Sequence, residues 1–296
     1  MSDKYVSAAK ALREAMKGFG TDEEKIIRVL STVPKDDAAD LVKAYSDEIG
    51  RDLVKDFKSE LRGSFEDACV NCVTPYHTQL AQQAYEAMKG IGTDETLLIE
   101  TLLPLSDEDL VAVKEEFKRM YSNSLSGRVS GELGGHLRDL FGNIFEAVFE
   151  NGGRTDGDVA DDVVKLHTAA EGFGTDEDAF KCVASKSRAH RDAVVDGYQK
   201  LYGRSLYSVI EKEFSGDMKH ALLALFKPVD KFFHDVLDKD PNDKCVRVIT
   251  QERGRALPAI IKQFDKDDKA LFVRVEGAFR GDTEKLLVAI VLNNSK

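Results

Sequence analysis

Apolar residues recur along this chain at steps of three and four positions, which is the spacing of one face of an α-helix. Val6, Ala9, Leu12 and Met16 form one such series near the start, and similar series follow in later segments. Strict alternation of apolar and polar residues, the pattern of a half-buried strand, is rare. The hydrophobic pattern therefore predicts an all-α fold.

One motif occurs three times in the sequence with small changes. It reads MKGFGTDE at residues 16–23, MKGIGTDE at 88–95 and AEGFGTDE at 170–177. A glutamate follows the leading glycine of each copy by about 42 residues, and a glycine follows that glutamate three positions later. These glutamates are Glu60, Glu132 and Glu213. Two linked motifs that recur in register predict an array of repeats of about 70 residues.

A fourth copy keeps the helical pattern but has lost the residues of the motif. Its loop segment, 238–243, lacks both glycines, and Ala278 stands where the other copies have the glutamate. We therefore predict four helical repeats with a Gly- and Asp-rich linker at 151–158 between the first two and the last two. The predicted domains are residues 1–73, 74–150, 151–227 and a degenerate fourth repeat, 228–296.

A capping signature predicts where the helix after the first loop begins. Thr21 followed by Glu24 fits the S/T-x-x-E capping box, in which the hydroxyl caps the first turn of the helix. Thr175 with Asp178 is a weaker version of the same signature. We therefore expect Thr21 to be the N-cap residue of this helix.

The charge of the chain bears on which partners it can bind. Lys and Arg number 42 against 53 Asp and Glu, which gives a net charge of −11. Nucleic-acid binding is not expected, because that affinity depends on basic side chains that neutralise phosphates. The same charge disfavours unaided attraction to anionic lipid.

The N-terminal residues and the cysteines indicate the compartment. The first 18 residues are charged and contain no apolar segment of the kind a secretory signal has. Four cysteines are too few for a disulfide scaffold in 296 residues. Cys69 and Cys72 form a C-x-x-C within an apolar helical segment, so we expect plain buried cysteines there. We predict a cytoplasmic protein.

The repeated loops carry the candidate chemistry. Glycine accepts positive φ values, so a G-x-G turn can expose successive backbone carbonyls. Calcium binds carbonyl and carboxylate oxygens, and we therefore predict a calcium site at each of the three loops. No EF-hand pattern occurs. The predicted ligands are Met16, Gly18, Gly20 and Glu60 in repeat 1, Met88, Gly90, Gly92 and Glu132 in repeat 2, and Gly172, Gly174 and Glu213 in repeat 3, where Ala170 supplies the first carbonyl.

The K-G-x-G-T-D loop, the G-R-x-L segment at 50–53 and the distant acid, arranged as four repeats, resemble the annexin family over essentially the whole chain. The resemblance implies five short helices per repeat, four repeats in a curved disk, and calcium that bridges the convex face to acidic phospholipid. It also implies weaker accessory metal sites at Thr21, Glu23, Leu61 and Glu66. The divergence of the repeats leaves a protist branch, such as the giardins, as one alternative within that family.

Each loop has an apolar residue between its glycines: Phe19, Ile91 and Phe173. Exposure at a loop tip is unfavourable for such side chains unless something covers them. Insertion at the bilayer interface would bury them, and we therefore predict that they contact the membrane. The alternative is that they fold back onto the core.

These observations predict a non-enzymatic, monomeric protein that binds anionic phospholipid peripherally when calcium is present, since calcium supplies the positive charge that the side chains lack. A phosphoester hydrolase is one alternative, but no Ser-His-Asp set, G-x-S-x-G elbow, P-loop or H-E-x-x-H motif is visible. The other alternative is a helical-repeat scaffold for cytoskeletal or sulfated-polysaccharide partners, with calcium secondary.

Overall fold

The structure is a computed structural model that describes residues 3–171, 174–266 and 270–295. Regular structure in these ranges is helical throughout, which confirms the predicted all-α fold. Twenty α-helices lie in them, five in each predicted repeat. The bounds of the four repeats themselves stay a prediction.

The helices of the first two repeats are short and are separated by tight loops. Those of repeat 1 are α1 (Val6–Ala15), α2 (Glu23–Leu30), α3 (Ala38–Ile49), α4 (Leu53–Glu60) and α5 (Gly63–Val73), with 3-10 turns at Asp3–Tyr5 and Lys35–Asp37. Those of repeat 2 are α6 (Tyr76–Ala87), α7 (Glu95–Leu102), α8 (Asp107–Tyr121), α9 (Leu125–Glu132) and α10 (Gly135–Phe145), which continues as a π-helical turn, Glu146–Glu150.

The last two repeats have the same order of elements. Those of repeat 3 are α11 (Val159–Ala170), α12 (Glu177–Ala184), α13 (Arg188–Tyr202), α14 (Leu206–Glu213) and α15 (Gly216–Phe226). Those of repeat 4 are α16 (Val229–Lys239), α17 (Pro241–Glu252), α18 (Leu257–Lys266), α19 (Leu271–Ala278) and α20 (Gly281–Asn294). The fourth repeat therefore keeps its helices although it has lost the loop motif.

Each helix buries one face, as the three- and four-residue spacing predicts. Ala9 and Leu12 of α1 are fully buried, and so are Ile26 and Leu30 of α2. Cys69 and Cys72 are buried in α5, which confirms the prediction for them. Burial raises the pKa of the Cys69 thiol, so this cysteine stays a neutral, apolar core residue.

The helix after each loop is capped by an aspartate, so the prediction that Thr21 caps α2 is wrong. The Asp22 carboxylate accepts a hydrogen bond from the backbone N–H of Lys25 at 2.9 Å, and α2 begins at the next residue, Glu23. Asp94 and Asp176 cap α7 and α12 in the same way. A charged cap also interacts favourably with the helix dipole, which a hydroxyl cannot do. The threonine before each aspartate is thereby left available for other contacts.

The chain forms two compact units. One consists of Met1–Gln79 with Val229–Lys296, and the other of Leu80–Pro228. In the first, α2 packs on α20 and α5 packs on α17, so repeat 1 pairs with repeat 4. In the second, α7 packs on α15 and α10 packs on α12, so repeat 2 pairs with repeat 3.

The Gly- and Asp-rich segment 151–158, predicted as the linker between repeats 2 and 3, lies inside the second unit and does not separate the two units. The backbone N–H of Arg154 donates to the Asp107 carboxylate at 2.7 Å, and the Arg154 guanidinium donates to the Leu105 carbonyl at 2.7 Å. The N–H of Gly157 contacts Nδ1 of His190 at 3.2 Å. These bonds fix the segment against helices on both sides of it in sequence.

No helix within the described ranges combines the length and the apolar character that crossing a bilayer requires.

Candidate metal centre

The three G-x-G loops share one backbone hydrogen-bond pattern, which fixes each loop between two helices. In each, the N–H of the capping aspartate donates back to the carbonyl of an alanine near the end of the preceding helix. The three bonds join Asp22 to Ala15 at 2.8 Å, Asp94 to Ala87 at 2.8 Å and Asp176 to Ala169 at 3.0 Å. The same backbone bond therefore joins the two flanking helices in repeats 1, 2 and 3.

The glycines of these loops adopt backbone conformations that other residues avoid. In repeat 1 the φ angles of Gly18 and Gly20 are 112° and 90°, and in repeat 2 those of Gly90 and Gly92 are 103° and 87°. Gly174 of repeat 3 has a φ of 96°. A side chain would be strained at such angles even though the space beside each glycine is open. Gly172 and Phe173, also predicted site residues, lie outside the described residues.

The structure brings two of the three predicted glutamates to the loops, through the threonines that the aspartate caps leave available. The Thr93 hydroxyl contacts Oε2 of Glu132 at 3.3 Å, and the Thr175 hydroxyl contacts Oε2 of Glu213 at 3.1 Å. Glu60, at the end of α4, is exposed and forms neither a hydrogen bond nor an ion pair with any described residue. In repeats 2 and 3, a carboxylate and a loop therefore lie in direct contact.

Basic side chains accompany both of these glutamates. Nη2 of Arg128 donates to the backbone carbonyl of Met88 at 2.7 Å and lies 3.0 Å from Oε1 of Glu132. Nζ of Lys212 donates to Oε1 of Glu213 at 2.7 Å. This bond, together with the bond from Thr175, lowers the pKa of Glu213, so that carboxylate stays ionised in mildly acidic solution.

The four residues predicted as accessory ligands are not brought together by any hydrogen bond in the structure. Leu61 is buried, and its carbonyl accepts a hydrogen bond at 2.5 Å from the Arg62 guanidinium. Thr21, Glu23 and Glu66 are each half-buried. The accessory sites stay a prediction.

The loop tips of repeats 1 and 2 project fully into solvent. Phe19 and Ile91 have relative exposures of 110% and 109%, the highest among the large exposed apolar side chains of the described residues. They therefore do not fold back onto the core, which was the alternative interpretation. Each tip is an exposed apolar side chain between the two glycines of its loop, next to the predicted calcium ligands.

The fourth repeat has no comparable loop. Ala278 ends α19 at the position of the missing glutamate. Arg274, one turn earlier in the same helix, donates from Nη1 to the backbone carbonyl of Asp238 at 3.3 Å and forms an ion pair with the Asp238 carboxylate. A guanidinium thus satisfies the oxygens near the end of α16, the helix before the degenerate loop.

The donor set of the three intact loops fits a hard cation. Across the described residues there is no group of three or more His, Cys, Asp and Glu side chains that could hold a metal ion. The candidate donors are instead backbone carbonyls and one carboxylate for each loop, the all-oxygen chemistry that calcium prefers. In repeat 2, Arg128 already bridges one carbonyl and the carboxylate, so a positive charge is accommodated there.

Comparison with known proteins identifies the fold. The family model described as Annexin matches residues 7–72, 79–144 and 161–225, ranges that fall within the first three predicted repeats. The chain belongs to the annexin family. Calcium-dependent phospholipid binding is a general property of annexins, most of which are not enzymes.

Among curated relatives, annexin A13 of Mus musculus is 34% identical over 296 residues, which cover 96% of this chain and 93% of the relative. Annexin A4 of Homo sapiens is 32% identical over 300 residues, covering 95% and 92%. Among solved structures, chicken annexin V is 30% identical with a TM-score of 0.86, covering 98% of this chain and 96% of its own. Calcium-bound alpha-14 giardin shares the fold at 21% identity, with a TM-score of 0.83 and coverage of 97% and 99%.

The repeat pattern of the sequence did not indicate the basic residues that contact the glutamates of this annexin. Arg128 precedes Glu132 by four positions, and such a pair lies on one face of a helix. That spacing was the available signal for Arg128. Lys212 is adjacent to Glu213 and gave no periodic signal.

Proposed function

We propose that this protein binds anionic phospholipid membranes in a calcium-dependent manner through the G-x-G loops of repeats 1, 2 and 3. The observation that carries the proposal is the contact between loop and carboxylate, seen as Thr93 to Glu132 and as Thr175 to Glu213. Family membership supports it, because membrane binding with calcium is general among annexins.

The loop carbonyls and the glutamate of each repeat would hold the ion. Bound calcium would supply two positive charges and coordination positions for lipid phosphate oxygens. The chain itself carries a net charge of −11, so its side chains oppose rather than drive approach to an anionic surface. Binding is therefore expected to require the ion.

The loop tips would add an apolar contribution. Phe19 and Ile91 are fully exposed beside the predicted ligands, so they are the first apolar groups to reach a membrane that meets these loops. Burial of such side chains at the bilayer interface is favourable and compensates for the limited area of contact. We propose the same role for Phe173 on the basis of the repeat.

Co-sedimentation with vesicles tests this function. The protein should pellet with phosphatidylserine vesicles in calcium and stay in the supernatant when a chelator is added. Phosphatidylcholine vesicles, which carry no net charge, serve as the control and should pellet much less of it. Equal pelleting with and without chelator would overturn the calcium-bridged mechanism.

A further inference from the structure

The predicted calcium site of repeat 2 is already bridged by a positive charge of the protein. Nη2 of Arg128 contacts two predicted ligands at once, the Met88 carbonyl at 2.7 Å and the Glu132 carboxylate at 3.0 Å. The first contact is a charge-assisted hydrogen bond and the second is a close ion pair. The positive charge of the guanidinium therefore balances the negative charge of the Glu132 carboxylate. The guanidinium also occupies the Met88 and Glu132 oxygens that a metal ion would need.

An arginine at this position is particular to repeat 2 among the three intact repeats. The residue one turn before the site glutamate is Asp56 in repeat 1 and Val209 in repeat 3. Asp56 is acidic and accepts hydrogen bonds from Tyr45 at 2.6 Å and from Arg51. Val209 is buried and apolar. Neither can bridge a loop carbonyl to the glutamate.

Repeat 4 provides an independent example of the same arrangement. Arg274 stands one turn before Ala278, the position of the missing glutamate, and its guanidinium contacts the backbone carbonyl and the side chain of Asp238. Nε of Arg274 and Nε of Arg128 are both buried and lack a hydrogen-bond partner within the described part of the chain. An arginine is thus found at the same helical position in the repeat whose sequence lacks the predicted metal ligands.

We infer that Arg128 is a built-in competitor of calcium at the repeat 2 loop, and that this site fills only when the guanidinium leaves Met88 and Glu132. The inference rests on the proposed function of that loop. It adds to that function a cost specific to repeat 2: displacing the guanidinium lowers the calcium affinity of that site, whereas Glu60 of repeat 1 forms no ion pair with any described residue.

Calcium can displace the Arg128 guanidinium because that group is only partly hydrogen-bonded. Its side chain is 37% exposed, and its buried Nε gains nothing from the bound position. Displacement therefore breaks two contacts of a partly hydrated group, a cost of the size measured for exposed ion pairs. A cost of that size lowers the calcium affinity of the site about fivefold without abolishing binding.

Calorimetry on a single remaining site tests this inference. In the Glu60→Gln, Glu213→Gln background only the repeat 2 site should bind calcium. Adding Arg128→Val should tighten that site about fivefold, and Val209 shows that valine is accommodated at this helical position. Arg119→Val is the matched control, because Arg119 pairs with Glu116 in the same unit and its removal changes the net charge equally.

Two further variants separate the outcomes. Adding Glu132→Gln to the background should abolish the heat of calcium binding. Loss of that heat would show that the repeat 2 site binds calcium, so the proposed function stands. The competition is then overturned if Arg128→Val leaves the calcium affinity unchanged or weaker. It is also overturned if Arg119→Val tightens the affinity as much as Arg128→Val does. If the background binds no calcium at all, the site itself is wrong and the inference falls with it. Arg128→Gln, which keeps a polar side chain but removes the charge, repeats the test should the valine variant not fold.

Discussion

Lys35 is a fully buried lysine in the unit that contains repeats 1 and 4. Its Nζ donates hydrogen bonds to the backbone carbonyl of Asn71 at 2.7 Å and to the side-chain oxygen of Gln79. Burial, reinforced by repulsion from Arg253, lowers the pKa of Lys35 from 10.5 to about 7. The folded state therefore releases this proton far more readily than the unfolded chain does.

This difference gives the free energy of unfolding a predictable dependence on pH. Between about pH 7 and pH 10.5 the unfolded chain holds the Lys35 proton and the folded protein does not, so this residue makes stability rise with pH across that window. Below about pH 7 both states are protonated and the cost of the buried charge is constant. Lys35→Met should remove up to about 1.4 kcal/mol per pH unit of this slope in urea unfolding.

An exposed lysine supplies the control for that measurement. Lys43 lies on α3 with 70% of its side chain exposed, and Lys43→Met should leave the slope of the parent protein unchanged. A slope that Lys35→Met does not alter would show that the buried ammonium is not the group that titrates.

At the residue scale, the sequence predicted groups that recur and missed groups that do not. Glu132 and Glu213 were predicted because they repeat in register, and the structure brings both to the loops. Arg128 has no counterpart in repeats 1 and 3, where Asp56 and Val209 occupy the matching positions, so the repeat pattern did not indicate it. Lys35 contacts Gln79 across 44 positions, and a contact at that separation leaves no local signal in the chain.

At the scale of elements, the start of α2 is a case in which two capping signals overlap. The segment Thr21 to Lys25 offers either a threonine cap or an aspartate cap one residue later, and the aspartate is used. Asp22→Ala should therefore destabilise the protein by about 1 kcal/mol in urea unfolding, the usual loss for an N-cap. Thr21→Val should cost clearly less, and an equal or greater loss would restore the threonine as the cap.

The loop between α1 and α2, like that between α6 and α7, presents its apolar tip to solvent. Phe19→Ser and Ile91→Ser should each weaken binding to phosphatidylserine vesicles by about tenfold, because burying such a side chain contributes roughly 1.5 to 3 kcal/mol. Calcium binding in the absence of vesicles should not change, since neither side chain is a predicted ligand.

Leu201→Ser is the control for the loop tips, because Leu201 is an exposed apolar residue, 61% accessible, on helix α13 rather than on a loop. It should leave vesicle binding unchanged. Membrane binding that survives both tip substitutions would mean that the tips do not enter the bilayer.

At the scale of the whole molecule, the periodicity predicted a helical chain and the family resemblance implied five helices per repeat, but neither indicated which repeats pack together. Repeat 1 pairs with repeat 4 across the length of the chain, and the buried Arg253 donates from Nε to the Val33 carbonyl at 2.6 Å as part of that pairing. Which apolar faces match is decided by shape and by such long-range bonds, neither of which periodicity encodes. The segment 151–158 was predicted as a linker from its Gly- and Asp-rich composition, and its hydrogen bonds hold it within one unit.

Three loops are proposed to bind calcium, each through backbone carbonyls and a single glutamate. Calcium titration by calorimetry tests this proposal most directly, with Glu211→Gln as the control, because Glu211 lies on the same helix as Glu213 but is not a predicted ligand. The parent protein and this control should bind calcium at three sites, and Glu60→Gln, Glu132→Gln and Glu213→Gln should each remove one. A triple glutamine variant that kept the full stoichiometry would contradict the account.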